Sequence, residues 1–314
     1  MNIRIVTPAP RGSRSGNRVT AERWGRILRQ LGHRATVGIG LDKPCDLLIA
    51  LHASKSARPI RLHQKTADTP LVIDIAGTDL RPSQSLSRTV AHNLARADHI
   101  VLLQKCGLDS LPSGLRAKAR IIHQSVEPPK NLPSPRANTF DVCVIGHQRP
   151  IKDPFRAALA ARLLPDNSKI RILHAGAALH ASMDRQARRE QQRNQRYRWL
   201  GELDRARSLR LMARSHLMVI SSLAEGGANV IGEAIACGTP ILSSRIPGSV
   251  GLLGTDYPGF FEVRDTAGLA DLLIRAETST RFYQKLHSRC RQIKPIFHPS
   301  RERKAWRKLL AEIS

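Results

Sequence analysis

Aromatic residues make up only 4% of the 314-residue chain. That scarcity argues against a nucleic-acid surface built from stacked aromatic platforms. Acidic residues are also few: 25 Asp and Glu stand against 51 Lys and Arg, a formal net charge of +26. Such a field draws anions, whether nucleotides, phosphorylated small molecules, nucleic acid or an acidic membrane surface, and by itself selects none of them. No apolar run approaches the roughly 20 residues needed to span a bilayer, and the opening MNIRIVTPAPRGSR is too short in apolar residues for a secretory leader. A soluble protein without membrane insertion is expected. Cys45, Cys106, Cys143, Cys237 and Cys290 are odd in number and show no C-x-x-C pairing, which predicts reduced thiols in the cytoplasm. The chain has no D-x-D, no H-E-x-x-H and no cysteine cluster, so nothing announces a required metal or other cofactor. Nor does the loop after Thr7 or the Gly38-Ile39-Gly40 stretch complete G-x-G-x-x-G.

What is present is a recurring alternation. Hydrophobic residues are 41% of the chain, and short Val, Ile and Leu runs alternate with helical stretches, the α/β pattern of parallel sheets covered by helices. The length suits two cores. Strands are expected at 3–7, 35–39, 46–51, 71–76, 100–104 and 120–124, then at 141–146, 169–175, 197–200, 217–221, 240–243 and 260–263. Between the two sets, SVEPPKNLPSPRANTF carries Pro128, Pro129, Pro133 and Pro135 and resists both helix and sheet. The expected organisation is a first domain over 1–128, a linker over 129–138, a second domain over 139–298 and a terminal helix over 299–314, in which Trp306, Leu309 and Leu310 are spaced to bury one face. The basic run Arg185 to Arg198 reads as a solvated helix or loop in preference to a nucleic-acid contact.

The most specific stretch is AEGGANVIGEAIACGTP, Ala224 to Pro240, with Glu225 and Glu233 eight positions apart around a helix start expected near Asn229. Gly226 and Gly227 let the backbone approach a ligand, and the unpaired amides of a helix start favour an anion such as a diphosphate. Glu233 can accept hydrogen bonds from the two neighbouring hydroxyls of a ribose. The plainer alternative is an amphipathic helix with Ile231, Ala234 and Ile235 in the core and two solvated glutamates. The stretch resembles the E-x7-E signature of nucleotide-sugar glycosyltransferases of the glycosyltransferase 4 type. That resemblance implies a GT-B fold: α/β, two Rossmann-like parallel-sheet domains facing a central cleft, with the terminal helix crossing back to the first. It also implies that Glu233 holds the ribose, that Glu225 lies near the donor sugar, and that the segment Gly226, Gly227, Ala228, Asn229 and Val230 binds the diphosphate.

In open parallel sheets, ligands bind beyond the carboxyl ends of the strands. After the first strand, PAPRGSRSGNR places Arg11, Ser13, Arg14, Gly16, Asn17 and Arg18 in one flexible loop suited to a small, highly charged, phosphate-like anion. A glycine-allowed turn with solvated arginines is the alternative. His52 follows the third strand, and Thr78 and Asp79 the fourth; either group could face the reacting sugar. A packed histidine and an Asp79 N-cap on the next helix are the structural alternatives. Gln104 and Ser125 complete the rim. In the second half, IGHQRPIKDP supplies Arg149 and Lys152, cations for a departing nucleoside diphosphate whose bridging oxygen gains negative charge. Relatives of this type carry Arg and Lys five apart; here His147 is five before Lys152 and Arg149 only three before it. The catalytic set implied is Lys152, Arg149, Glu225, His52 and Asp79.

The strings TPAPRGSRSGNRVTAERWGRILRQLGH, DLLIALHASKSA, GTDL, IVLLQ and IGHQRPIKDPFRAA together are similar to the selenosugar synthases of selenoneine biosynthesis over nearly the whole chain. This resemblance implies transfer of N-acetylglucosamine from UDP-GlcNAc to selenophosphate, then loss of phosphate to release a 1-selenosugar for a downstream selenoneine-forming enzyme. Selenophosphate binding would fall to the Arg11 to Arg18 loop. The partners implied are small-molecule substrates, with no specific nucleic acid. An ordinary GT-B glycosyltransferase acting on a hydroxyl of a lipid or polysaccharide precursor would share every donor residue. A nucleic-acid-binding protein would use the charge but leave the E-x7-E segment unexplained.

Overall fold

Runs that are apolar on both faces become the inner strands of parallel sheets, because helices cover each side. The structure, a computed structural model, describes residues 1–66, 68–75, 79 and 86–313. Its strands are β1 (Asn2–Val6), β2 (Arg34–Gly38), β3 (Leu47–Leu51), β4 (Leu71–Asp74), β5 (His99–Leu102), β6 (Ala119–Ile121), β7 (Phe140–Ile145), β8 (Ile170–Ala175), β9 (Tyr197–Trp199), β10 (Leu217–Ile220), β11 (Ile241–Ser244) and β12 (Phe260–Phe261). Its helices are α1 (Gly16–Gln30), α2 (Ala57–Thr66), α3 (Arg88–Arg96), α4 (Ser113–Arg116), α5 (Arg156–Ala161), α6 (Ala181–Arg193), α7 (Arg205–Ala213), α8 (Asn229–Ala236), α9 (Pro247–Leu253), α10 (Thr266–Thr278), α11 (Thr280–Ile293) and α12 (Pro299–Ile313). The chain divides into two compact units. The first comprises Met1–Ser125, Glu225–Asn229 and Ile296–Ser314; the second comprises Val126–Ala224 and Val230–Pro295.

The first unit holds a six-stranded parallel sheet ordered β2-β1-β3-β4-β5-β6. Alternation along β4 sorts its two faces. Leu71 and Ile73 pack with Ile60 of α2 and Val90 of α3, whereas Val72 packs with Trp24 of α1 and Trp306 of α12. Period-2 geometry puts Asp74 on the same side as Val72, between its register partners Leu51 and Val101. Helix α12 buries Trp306, Leu309 and Leu310, as their spacing predicts, and Trp24 meets Trp306 edge to face at 4.8 Å.

The second unit holds a parallel sheet ordered β12-β11-β10-β7-β8-β9. The basic run 185–198 is mostly exposed and largely helical, as expected; it ends α6 at Arg193, turns at Asn194 and enters β9. Buried Asn194 fixes that turn by donating to Ala158 O at 2.8 Å, and buried Glu190 takes Arg162 in a bidentate pair. Each expected strand lies within one or two residues of an observed one at its start. Ala76 and Ser314, the far ends of the fourth expected strand and the terminal helix, lie outside the described residues.

Candidate functional site

In the second unit, the chain leaving β7 forms a single 3-10 turn, Pro150–Lys152, followed by Asp153 in the left-handed region at φ 43°. The turn is pinned to the segment leaving β10: Leu223 N donates to Ile151 O at 2.9 Å. Ser221 Oγ donates to Lys152 O at 3.2 Å and to Asp153 O at 2.8 Å. Arg149 is exposed and Lys152 half-buried at this strand end. Helix α8 begins at Asn229, where the sequence places its start. Ile231, Ala234 and Ile235 are buried on one side of it, as the core-packing reading expects, while Glu233 lies on another side of the helix and Glu225 in the loop before it. Glu233, in the second turn, accepts from Arg205 Nε at 3.2 Å.

Residues 225–229 belong to the first unit. A Cβ at Gly227 would stand 2.5 Å from Leu103 Cβ. The glycine is therefore required by the close approach of its own chain, a reason the sequence did not offer. Ala228 is buried, and Val230, the next residue of α8 beyond Asn229, is half-buried. Asn229 accepts from Arg23 Nη1 at 3.2 Å and donates to Thr20 Oγ1 at 3.4 Å. A Cβ at Gly16 would lie 3.6 Å from Asn229 Nδ2. The unit thus brings the first residue of α1 beside the first residue of α8.

The arginine-rich loop is a turn that feeds α1. Ser13 N donates to Pro10 O at 3.2 Å, Gly12 sits at φ 83°, and the Ser15 hydroxyl caps the helix by accepting from Arg18 N at 3.4 Å. Arg11 and Arg14 are exposed, and Ser13 and Asn17 are half-buried. Arg18 is buried and donates through Nε to Glu22 Oε1 at 2.7 Å, an i,i+4 ion pair that already occupies part of its guanidinium.

His52 and Asp79 come together, His52 Nδ1 to Asp79 Oδ1 at 2.7 Å. Asp79 also accepts from Ala53 N at 2.6 Å, Ser54 N at 3.2 Å and Ser54 Oγ at 2.9 Å. Through these bonds the Asp79 carboxylate closes the turn that leads into α2; α3, the next helix among the described residues, is capped by Ser87, whose hydroxyl accepts from Val90 N at 3.3 Å. Thr78 lies outside the described residues. Gln104 is buried. Ser125 faces α12, where its N–H and hydroxyl both donate to Glu302.

Three groups escaped the sequence reading. Glu302, 1% exposed, accepts from Arg23, Trp24 and Ser125. Arg23 links that carboxylate to Asn229. Asp74 is fully buried at the carboxyl end of β4, with neither oxygen bonded to a partner among the described residues. Burial, and then the nearby Asp79 charge, push its carboxyl well above the usual range, against the pull of Arg23. The one local signal was an aspartate ending an otherwise apolar run; the partners of Arg23 and Glu302 have no local signal.

Among the described residues, no group of three or more His, Cys, Asp or Glu is placed to hold a metal ion, and no helix is long and apolar enough to cross a membrane. Two parallel six-stranded sheets with covering helices define the GT-B class of glycosyltransferase folds. The chain belongs to the glycosyl transferases group 1 family, which matches residues 131–293, and is a glycosyltransferase. No curated protein sequence matches it. Sucrose-phosphate synthase (tll1590) from Thermosynechococcus elongatus is similar in structure, with a TM-score of 0.81 and 14% identity over 99% of each chain. Alr3699/HepE from Anabaena, in complex with UDP and glucose, also gives a TM-score of 0.81, with 19% identity over 99% of this chain and 100% of that one. A glycosyltransferase from Rickettsia africae ESF-5 gives 0.78, with 13% identity over 99% and 98%.

Proposed function

We propose that the protein uses a UDP-sugar donor and a small oxyanion acceptor, transferring N-acetylglucosamine from UDP-GlcNAc to selenophosphate. The donor side rests on the start of α8 at Asn229, with Glu225 in the loop before it and Glu233 in its second turn. The similar HepE structure contains UDP and glucose, which supports a uridine nucleotide. In this reading Glu233 accepts from the ribose hydroxyls, and the amides of Gly226, Gly227, Ala228, Asn229 and Val230 meet the diphosphate. Lys152 and Arg149 balance the charge that grows on the leaving oxygen. Glu225, and His52 held by Asp79, address the sugar.

The acceptor side rests on the arginine-rich turn of Arg11, Ser13, Arg14, Gly16, Asn17 and Arg18, which leads into α1 through the Ser15 hydroxyl cap, and on the sequence likeness to selenosugar synthases. Selenium supplies the electron pair that forms the bond to the anomeric carbon, while the carbon–oxygen bond to UDP breaks and UDP leaves with its electrons. Water then cleaves the phosphorus–selenium bond, releasing phosphate and a 1-selenosugar, the substrate of a selenoneine-forming enzyme. Since selenophosphate is already anionic, no general base is needed to create the nucleophile.

The test is incubation with UDP-GlcNAc and selenophosphate, followed by mass analysis for a selenium-containing sugar. Arg14→Ala should weaken selenophosphate use and leave UDP affinity nearly intact. Turnover with an alcohol acceptor and no selenium product would replace this reading with hydroxyl glycosylation.

A further inference from the structure

The ion pair between Arg205 and Glu233 points beyond the donor residues named so far. Arg205 is the first residue of α7, and its backbone is set by Asp204, whose carboxylate caps the helix by accepting from Arg207 N at 2.8 Å. From there its side chain reaches α8 and meets Glu233 Oε1 through Nε at 3.2 Å. The carboxylate is 13% exposed and the arginine side chain 48%. A largely buried carboxylate is thus met by a cation whose outer part is open to solvent. The contact uses one oxygen of Glu233 and one nitrogen of Arg205; it leaves Oε2 and the forked Nη donors out of the pair.

That division suits a carboxylate that must present a fixed edge to two adjacent hydroxyls. A glutamate has three side-chain torsions to fix on binding, and an anchor on one oxygen removes part of that ordering cost before the ligand arrives. The neighbour one turn on, Cys237, does not supply the anchor, since its thiol donates to Leu209 O at 3.5 Å. Arginine is suited to the task, since it holds its charge and presents several donors in a planar fork.

We propose that Arg205 is a positioning residue for the nucleotide ribose, holding Glu233 so that its carboxylate reads both ribose hydroxyls. The proposal rests on the donor reading above. It predicts an effect on nucleotide affinity and on discrimination against 2′-deoxyribose, and not on the chemical step. The rival meaning of the same pair is a latch that a nucleotide must break, and it predicts the opposite sign.

Titration calorimetry with UDP and with 2′-deoxyuridine diphosphate separates these on the wild type, Arg205→Gln, Arg205→Lys, Glu233→Gln and the Arg205→Gln/Glu233→Gln pair. Arg205→Gln should weaken UDP binding about 5- to 10-fold and narrow the preference for UDP over the deoxy form, Lys should restore part of both, and the two Gln substitutions should combine less than additively. In turnover assays KM for the UDP-sugar should rise by a similar factor with kcat changed less than about twofold. Melting curves report whether each variant folds, and the Lys variant carries the test if Arg205→Gln does not. Unchanged or tighter UDP binding in a folded Arg205 variant, with the wild type binding UDP, overturns the proposal alone. A wild type that fails to bind UDP removes the donor reading and the proposal with it.

Discussion

His52 Nδ1 lies 2.7 Å from Asp79 Oδ1, with the imidazole 4% and the carboxylate 0% exposed. Asp79 holds the ring and, through Ala53 N and Ser54 N, the turn on which the ring sits. The backbone of His52 is itself in the left-handed region at φ 71°, an uncommon conformation that concentrates at functional positions. Asparagine tolerates that region better than most residues, so His52→Asn removes the imidazole with little backbone penalty. Turnover should fall about 10-fold, the scale of one hydrogen bond to the sugar, and the melting temperature should change little because Asp79 keeps Ala53 N, Ser54 N and Ser54 Oγ as donors. Full activity in a folded His52→Asn protein would leave the histidine a packing role only.

Lys152 offers a test of the leaving-group side. Its carbonyl takes part in the hydrogen bonds from Ser221 that pin the turn, and those bonds do not depend on the side chain. Lys152→Ala should therefore keep the fold but lower kcat by roughly 10²–10³-fold, the scale for losing one preorganised charge-stabilising group. Arg149, exposed and three positions earlier, should matter less. Steady-state kinetics on both variants decide the order, and a larger loss at Arg149 would reverse the two roles.

The strands were legible because a parallel sheet is apolar on both faces, so each short Val, Ile and Leu run declared itself. The start of α8 was legible because Gly226-Gly227 ends one apolar run and Ile231 opens another. What could not be read is whatever depends on distant partners. Arg23 and Glu302 are 279 positions apart, and no pattern near either predicts the other. Asp79 shows the same limit: its carboxylate accepts from a turn 25 residues earlier in the chain, and nothing near Asp79 announces that partner. Gly227 looked like a ligand-facing glycine, and the contact that excludes a side chain there comes from Leu103.

Glu302 carries the largest single stability prediction. It sits among Arg23, Trp24 and Ser125 with 1% of its surface exposed, so Glu302→Ala takes the carboxylate from a buried guanidinium left with Asn229 alone and strands an indole N–H and a backbone N–H. Breaking a buried pair by removing one partner costs about 3–5 kcal/mol. Glu302→Gln keeps the shape and one acceptor oxygen and should cost less. Trp24 and Trp306 lie beside the site, so tryptophan fluorescence during urea unfolding reports the loss. A cost under about 1 kcal/mol for Glu302→Ala would mean that water or a rotated Ser125 replaces the carboxylate.

Two buried groups give stability opposite dependences on pH. His174, whose Nδ1 pairs with Tyr197 Oη at 2.9 Å, has its pKa lowered to about 4 by burial, with a backbone contact from Gly146 acting the other way. Between pH 4 and 6.5 the unfolded chain binds a proton there that the fold excludes, so stability falls as pH drops through that window, by roughly 3 kcal/mol in all. Asp74 has its carboxyl raised instead, by burial first and Asp79 second. Above the ordinary carboxylate value the unfolded chain releases a proton that the fold retains, so this group's contribution weakens as pH rises toward the folded value. Asp74→Asn should therefore stabilise the first unit at neutral pH, with a gain that shrinks toward pH 4. Urea titrations of wild type and Asp74→Asn at pH 4, 5.5 and 7 check the trend. A gain of equal size at all three values would mean that packing, not ionisation, distinguishes the two side chains.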